Sequence, residues 1–455
     1  MYFHRKIDCY LKKWKSEDPL KPLLLRGARQ VGKSSAVREF AKEFDYYIEV
    51  NLELESDARA LFDSGLPVDE IVRRLSLLRG VPIAAGRTLL FIDEIQASQA
   101  AIHSLWAFKE KLGNLHVIAA GSLLEFALRR MSSFGVGRIK SLFMYPFSFD
   151  EFLTACGHAA WIDEKRRAGE KPLFDALHNN LVEAFRTFLI VGGMPECVSH
   201  WVEHQDYLRV GEMQSDLIQT YFDDFSKYGD RIDPQVLRAT LMSVARQIGG
   251  KFVYSENQEG FRGERIKAAL DLLVAAGIVV PVLHTAANGL PLGAEVNPKF
   301  SKYHFLDSGL VLKALGLDLP KSEQPAAGLL SMTAAELVNK GEIAEMVAGL
   351  ELLKYAEPFA RRNLYYWCNL NRSANAEVDY VIERNMKVTP LEVKAGTRGS
   401  MKSLRYLMNL KGIESAARTS LENFSKLDNV EIIPLYALSN LYDGTDCGVL
   451  GGMEK

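Results

Sequence analysis

The sequence lacks the features that mark secreted, zinc-binding and membrane-spanning proteins. Its five cysteines are scattered and never form a C-x-x-C pair, which argues against a structural zinc site and favours a reducing, cytoplasmic location. No stretch reaches about 18 uncharged apolar residues, and no apolar segment follows the basic N-terminus. Neither a membrane span nor an export signal is therefore predicted.

A strong excess of charge of either sign is also missing. The chain has 55 Lys and Arg against 57 Asp and Glu, a net charge of −2. Any nucleic-acid surface must therefore be a local patch. A length of 455 residues with 48% hydrophobic residues predicts about three domains with substantial cores.

The most informative motif is G-x-x-x-x-G-K-[ST], which begins at Gly27. It follows the apolar run 23–25 and precedes residues with helical spacing, so the loop is predicted to join a strand to a helix. Backbone N–H groups of such a loop bind phosphates, Lys33 would reach the outer phosphates of ATP, and Ser34 would ligate Mg²⁺. The predicted nucleotide contacts are Gly27, Ala28, Arg29, Gln30, Val31, Gly32, Lys33, Ser34 and Ser35.

A second motif supports nucleotide binding. Four apolar residues, 89–92, predict a strand that is buried on both faces, and Asp93 and Glu94 follow at its carboxyl end. We expect Asp93 to hold Mg²⁺ and Glu94 to orient and deprotonate the water that attacks the γ-phosphate.

Strand and helix signals alternate over the first 150 residues, which predicts a parallel sheet covered by helices on both faces. The predicted strands are Pro22–Arg26, Tyr46–Asn51, Thr88–Asp93, Leu115–Ala120 and Arg138–Met144. Ser122 follows the fourth strand. Its hydroxyl either senses the γ-phosphate or caps the next helix, and both roles are compatible.

The middle of the chain has two helical patterns. An aromatic-rich amphipathic stretch predicts a lid over the nucleotide, and residues 233–309 read as two helices and a hairpin, the order of a winged helix. Arg262, Arg265 and Lys267 crowd the start of the second helix. Because acids are interspersed, this helix either reads DNA or packs against the lid.

The C-terminal region has acids and a lysine in the order used by restriction-endonuclease-like nucleases: Glu345, Asp379, Glu392, Lys394. A hairpin turning at residues 385–386 would set Asp379 opposite Glu392, with Lys394 on the same face. A divalent cation would relieve the repulsion between the carboxylates, and Lys394 would polarise the attacking water. The alternative is an inert nuclease scaffold with surface carboxylates.

A basic tract lies next to this constellation. Its six members either follow a nucleic-acid backbone or form a solvated helix face. They are Lys394, Arg398, Lys402, Arg405, Lys411 and Arg418.

Together these motifs resemble the archaeal-type ATPases of the AAA superfamily, with a C-terminal domain of unknown function similar to restriction-endonuclease-like folds. The resemblance rests on the two nucleotide motifs and on the runs 121–122, 137–138, 146–151 and 192–196. It implies an α/β multidomain protein with a P-loop AAA-type parallel sheet core, a helical lid, a winged helix and a C-terminal restriction-endonuclease-like α/β domain. It also implies that Arg138 is an arginine finger or sensor, whereas the residues alone fit a surface salt bridge equally well.

The predicted domains are the ATPase core (1–150), the lid (151–230), the winged helix (231–315), a linker (316–333) and the nuclease-like domain (334–455). The predicted function is Mg²⁺-dependent ATP hydrolysis coupled to binding of, or action on, nucleic acid, with a homo-oligomer as a further possibility. The alternative is a nucleotide-controlled signalling or defence switch whose nuclease-like domain only mediates interaction.

Overall fold

The computed structural model describes residues 1–121, 128, 137–169, 171–228, 232–257, 259–317, 340–370, 376–396 and 399–442. The chain divides into two compact units. The first comprises Met1–Pro146 with the short segments Ala275–Gly277 and Glu357–Arg361. The second comprises Phe147–Val274, Ile278–Ala356 and Arg362–Lys455. Ser122 and Arg398, both named above, lie outside the described residues.

The first unit alternates strands and helices as its sequence predicts. Its strands are β1 (Leu23–Arg26), β2 (Tyr46–Asn51), β3 (Thr88–Asp93), β4 (His116–Gly121) and β5 (Lys140–Phe143). Its α-helices are α1 (Lys6–Lys15), α2 (Lys33–Phe40), α3 (Ser56–Asp63), α4 (Val68–Arg79) and α5 (Gln99–Lys111). Short 3-10 helices occupy Ala41–Glu43 and Ile95–Ala97.

These strands form one five-stranded sheet in the order β2-β3-β4-β1-β5, and every pairing is parallel. The predicted parallel α/β core is confirmed. Every residue of β3 and β4 is buried, as expected for central strands covered on both faces. Since parallel strands end at the same edge, the loop after β1 and the carboxylates after β3 meet there.

The rest of the chain is richer in helices. Its α-helices are α6 (Phe149–Ala155), α7 (Ala159–Ala168), α8 (Asp175–Val191), α9 (Pro195–His204), α10 (Tyr207–Asp224), α11 (Pro234–Arg246), α12 (Gly263–Ala275), α13 (Ser308–Ala314), α14 (Lys340–Tyr355) and α15 (Lys402–Lys411). Short 3-10 helices occupy Phe225–Tyr228, Leu292–Glu295 and Leu435–Leu441. Its strands are β6 (Val279–Thr285), β7 (Val296–Phe305), β8 (Leu364–Cys368), β9 (Glu377–Val378), β10 (Tyr380–Arg384), β11 (Lys387–Val393), β12 (Ala416–Ser420), β13 (Ser425–Leu427) and β14 (Val430–Pro434).

The hairpin of β6 and β7 belongs to a larger sheet. It follows the helices α11 and α12, as predicted, but β6 also pairs in parallel with β8, which gives a four-stranded sheet in the order β7-β6-β8-β9. Strands from both sides of the predicted linker thus share hydrogen bonds. The winged-helix assignment and the domain boundaries stay predictions.

The second sheet of this unit has the order β10-β11-β12-β14-β13. Tyr380 faces Leu391 and Arg384 faces Lys387, so the predicted hairpin register is confirmed. The turn residues Asn385 and Met386 have φ angles of 52° and 58°, the left-handed pair that a tight two-residue hairpin turn requires.

No helix among the described residues is long and apolar enough to cross a membrane.

Candidate functional site

The loop after β1 has the tight geometry that phosphate binding needs. A side chain at Gly27 would put its Cβ 2.2 Å from the carbonyl oxygen of Met144, so only glycine fits. Gly32 caps α2 with a φ of 95°, which lets the chain turn sharply into the helix. The nine predicted contacts, 27–35, therefore lie between the end of β1 and the first turn of α2.

Lys33 is buried within this loop, with 7% of its surface exposed. Its Nζ donates hydrogen bonds to the carbonyl oxygens of Gly27 at 3.0 Å and Ala28 at 2.7 Å. Burial lowers the pKa of Lys33 to about 8, and the nearby charges of Glu94 and Asp93 only partly oppose this shift. Because neutral carbonyls hold the ammonium group, phosphate oxygens can replace them at little electrostatic cost.

The two predicted Mg²⁺ ligands of the first unit are in direct contact. Ser34 Oγ donates a hydrogen bond to Asp93 Oδ2 at 2.8 Å, although the two residues come from different elements. Asp93 is 6% exposed, and this burial raises the pKa of its carboxyl group. A hydroxyl and a carboxylate oxygen side by side are the hard ligands that Mg²⁺ prefers, so these residues fit the ion.

Glu94 stands directly after β3 in a left-handed conformation, with a φ of 48°. One of its carboxylate oxygens accepts a hydrogen bond from Gln96 Nε2 at 2.5 Å. This contact orients the predicted water-activating group. Sequence reasoning did not single out Gln96, and its position two residues after Glu94 is the only signal that points to it.

Arg138 lies at the protein surface and contacts an acidic and an aromatic side chain. Its Nε donates to Glu110 Oε1 at 2.8 Å, and both side chains are 48% exposed. The guanidinium also lies over the ring of Trp106, 5.4 Å from its centroid. Arg138 thus forms a surface salt bridge, which is the alternative to the finger or sensor role.

A second group of charged side chains lies in the C-terminal region, and we call it the acidic cluster. It consists of Glu345, Glu377, Asp379 and Glu392 with the lysines Lys302 and Lys394. Glu345 is on α14, Asp379 lies between β9 and β10, and Glu392 is on β11. The predicted residues Glu345, Asp379, Glu392 and Lys394 are therefore brought together.

The acidic cluster also contains a lysine that sequence reasoning missed. Lys302, on β7, is fully buried and donates to Glu345 Oε1 at 2.8 Å and to Glu377 Oε1 at 2.5 Å. Lys394 donates to Glu392 Oε1 at 2.5 Å. Burial raises the pKa of Glu392 to about 7, and the charge of Asp379 contributes to this rise.

The cluster does not match a metal site in its present arrangement. No group of three or more His, Cys, Asp or Glu side chains within the described part of the chain is arranged to hold a metal ion. Asp379 Oδ2 instead accepts a hydrogen bond from the Val393 amide at 2.7 Å. The expected ligands are present, but Glu345, Asp379 and one oxygen of Glu392 accept hydrogen bonds from protein donors.

The basic tract is partly neutralised as well. Arg405 pairs with Asp428 at 2.9 Å, and Arg418 is 6% exposed with Glu422 3.5 Å away. A buried arginine cannot follow a nucleic-acid backbone. Arg262, Arg265 and Lys267 are at least partly exposed at the start of α12, where Arg265 pairs with Asp233 at 3.4 Å.

Comparison with protein families identifies the first unit. Residues 20–153 match the AAA domain family, so this segment of the chain is an AAA domain. Residues 182–321 match a Domain of unknown function (DUF8612), and residues 340–438 match a Domain of unknown function (DUF4143). No curated protein matches the chain.

Solved structures give weaker matches. A chain of a point variant of Thermotoga maritima RuvB is 19% identical, with 69% of this chain and 94% of that chain covered and a TM-score of 0.28. The T. maritima RuvB Holliday junction branch migration motor is 18% identical, with coverages of 65% and 93% and the same TM-score of 0.28. Identities and TM-scores this low do not establish a shared activity or partner for this chain.

Proposed function

We propose, on the premise of an AAA domain at residues 20–153, that this protein is a Mg²⁺-dependent ATPase whose nucleotide state controls the interactions of its C-terminal region with a protein partner. The observation that carries the ATPase assignment is the contact between Ser34 Oγ and Asp93 Oδ2, which joins the two nucleotide motifs. The signalling or defence role is favoured because the buried ammonium group of Lys302 occupies the acidic cluster, where a nuclease would need a metal ion.

Each residue of the first site has a role in this proposal. Lys33 leaves the loop carbonyls and binds the outer phosphates, while Ser34 and Asp93 hold Mg²⁺. Glu94, oriented by Gln96, deprotonates the attacking water. The ion supplies charge neutralisation at the phosphates when it is bound.

The test is ATP turnover by the full chain with Mg²⁺ and with chelator, next to a nuclease assay on DNA and RNA with Mg²⁺ or Mn²⁺. We expect phosphate release that depends on Mg²⁺ and no cleavage of either nucleic acid, with or without ATP. Absence of turnover would refute the ATPase proposal. Cleavage would refute the interaction role.

A second candidate is an ATPase that acts on nucleic acid, with Glu345, Asp379 and Glu392 as ligands of a second divalent metal. The position of Asp379 favours it, because this residue directly precedes the paired residue Tyr380 and its Oδ2 accepts a hydrogen bond from the amide of Val393, the neighbour of Glu392. Lys394 also contacts Glu392. In this candidate Lys394 polarises the attacking water. Stimulation of ATP turnover by DNA, and cleavage that Lys394→Ala abolishes, would favour it over the first.

We also propose that Arg138 acts on a γ-phosphate, either as a finger across a subunit boundary or as a sensor within its own chain; the finger role requires a homo-oligomer. The ATPase rate per chain should then rise with protein concentration, and Arg138→Ala should lower turnover while ATP binding persists. Glu110→Ala is the matched control, because it breaks the same salt bridge and keeps the arginine. Equal loss in both variants, or a rate independent of concentration, would contradict this role. The γ-phosphate role of Ser122 and the cytoplasmic location stay predictions.

A further inference from the structure

The interior position of Lys302 is the most unusual feature of the C-terminal region. Its side chain has no exposed surface, yet it carries an ammonium group. A buried charge of this kind is tolerated only when it is paired and hydrogen bonded. Glu345 and Glu377 provide that pairing from α14 and β9, so three elements meet at a single cation.

The two carboxylates hold this lysine in its charged form. Burial by itself lowers the pKa of Lys302, but Glu345 and Glu377 raise it by more, and the net pKa lies above the usual lysine value. With no exposed surface and with two acidic partners hydrogen bonded to its Nζ atom, Lys302 is a fixed positive charge in the acidic cluster. This contrasts with Lys394, which reaches the cluster from a more exposed position, with 27% of its side chain accessible.

A divalent ion and this ammonium group would compete for the same carboxylate group. Oε1 of Glu345 accepts the hydrogen bond from Lys302, and Glu345 is also the helix-borne ligand that a nuclease-like metal site would need. A metal ion beside a buried ammonium would meet strong like-charge repulsion in a region of low dielectric constant. The residues present thus do not fit a metal while Lys302 is in place.

The cluster nevertheless retains unused capacity to bind a cation. Glu392 is 5% exposed, and its Oε2 atom is buried without a hydrogen-bond partner among the described residues. Leaving such an oxygen unsatisfied is costly, and a cation is one partner that removes the cost.

We propose that the Lys302 ammonium is the resident cation of the acidic cluster, that it excludes divalent metal from the native chain, and that removing its charge turns the cluster into a metal site. This inference rests on the proposed interaction role of the C-terminal region. The inference also explains why the C-terminal region would not act as a nuclease. The ammonium group of Lys302 occupies the position where a nuclease binds its metal ion.

The experiment measures Mn²⁺ binding by the full chain without nucleotide, using electron paramagnetic resonance and calorimetry. The variants are Lys302→Met, which keeps an apolar side chain of similar length, and Lys299→Met, which removes an exposed lysine from the same strand. Any Mn²⁺ bound at the first unit is common to all proteins compared. We expect Lys302→Met to bind one more Mn²⁺ ion per chain than the wild type or Lys299→Met. Its affinity for Mn²⁺ at the acidic cluster should be at least about tenfold higher than that of either of these proteins.

The added ion should disappear in the double variant Lys302→Met/Glu345→Gln, which removes one ligand. Equal extra binding by the wild type would overturn the proposal, because the native cluster would then be a metal site. Absence of extra binding in a folded Lys302→Met would overturn it too. If that variant does not fold, the melting temperature of the wild type with and without Mn²⁺ provides the test. The proposal is contradicted if Mn²⁺ raises the melting temperature of the wild type and raises that of Glu392→Gln by less.

ATP turnover of the same proteins is an independent readout. Lys302 lies outside the nucleotide-binding residues, so an inactive wild type would refute the ATPase proposal without bearing on Lys302. Cleavage of nucleic acid gained by Lys302→Met with Mn²⁺ would support the exclusion of metal by the lysine. Cleavage by the wild type would refute both the exclusion and the interaction role.

Discussion

Two buried lysines in this protein lie among carboxylates and have opposite environments. Lys33 donates to the carbonyl oxygens of its own loop, and burial lowers its pKa to about 8. Lys302 donates to Glu345 and Glu377, and these carboxylates raise its pKa above the usual value. Both side chains are shielded from water, so the difference comes from the partners and not from burial.

The difference shows which lysine is available to a ligand. A phosphate can replace neutral carbonyls around Lys33 and gains a charge-assisted hydrogen bond in doing so. A ligand that approached Lys302 would first have to break the buried ion pair with Glu345 and a second pair with the partly exposed Glu377. Hence the first lysine is suited to binding, and the second is suited to a fixed structural role.

The largest expected effect tests the first lysine. Lys33→Ala should abolish Mg·ATP binding, because the outer phosphates lose the one point charge that the motif assigns to them. Calorimetric titration of ATP measures this loss. Lys42→Ala is the control, since that lysine lies in the same unit, is 71% exposed and pairs with Glu39. If Lys33→Ala bound ATP with unchanged affinity, Lys33 would not be a ligand-binding lysine and would not differ from Lys302 in this respect.

Glu94→Gln separates binding from chemistry at the same site. The amide cannot accept the proton of the attacking water, so turnover should fall by about 10²–10⁴-fold while ATP binding persists. Glu43→Gln, a carboxylate 44% exposed, should leave the rate unchanged. Steady-state phosphate release compares the three proteins. Hydrolysis at the parental rate would show that Glu94 does not activate the water.

Lys302→Met should destabilise the folded protein more than any change at Lys394. Removing the Lys302 charge leaves Glu345 and Glu377 without their shared cation, which costs about 3–5 kcal/mol when a buried pair is broken. Lys394→Met removes a partly exposed partner, and we expect a loss of about 1 kcal/mol. Urea unfolding with chelator present measures both losses. Equal losses would mean that burial does not distinguish these two ion pairs.

The effect that is smallest at neutral pH, and that grows only as the solution becomes acidic, is the pH dependence near Lys302. Burial, with a further contribution from the Lys302 charge, lowers the pKa of His304 to about 3, against 6.5 for an unperturbed histidine. The folded state therefore binds fewer protons than the unfolded state between these values. The stability that neutral His304 contributes is complete above pH 6.5 and is lost as the pH falls toward 3, by up to about 1.4 kcal/mol per pH unit.

His304→Gln should flatten this part of the stability curve, and His103→Gln, at an exposed position, should not. In Lys302→Met the pKa of His304 should rise, because a neighbouring positive charge is gone. Denaturant unfolding at several pH values tests the first expectation, and titration followed by nuclear magnetic resonance tests the second. An unchanged slope in His304→Gln would mean that the imidazole does not titrate differently in the folded and unfolded states.

Local patterns predicted much of the first unit. Strand signals in the sequence predict β2 and β3 to the residue, and β1, β4 and β5 within two residues. The loop at Gly27 and the carboxylates after β3 were assigned from spacing alone. Their contact follows from topology, because parallel strands end at one edge of the sheet.

Predictions for the C-terminal region were less complete. The hairpin register is confirmed, but Asp379, which the predicted hairpin includes, lies between the strands β9 and β10. Strand β12, with the sequence AARTS, escaped notice because its residues are mostly small or polar, although all five are buried at the centre of a sheet.

Sequence by itself determined the nucleotide-binding loop, because its glycines, its lysine and its hydroxyl act within eight consecutive residues whose geometry is local. Only the tertiary structure decided the state of the acidic cluster. Glu345 and Lys302 are far apart in the chain and belong to different predicted domains, and nothing in either segment indicates the other. The pairing of β6 with β8 puts β7 in the sheet beside the C-terminal strands, and long-range packing thereby brings a lysine to the carboxylates.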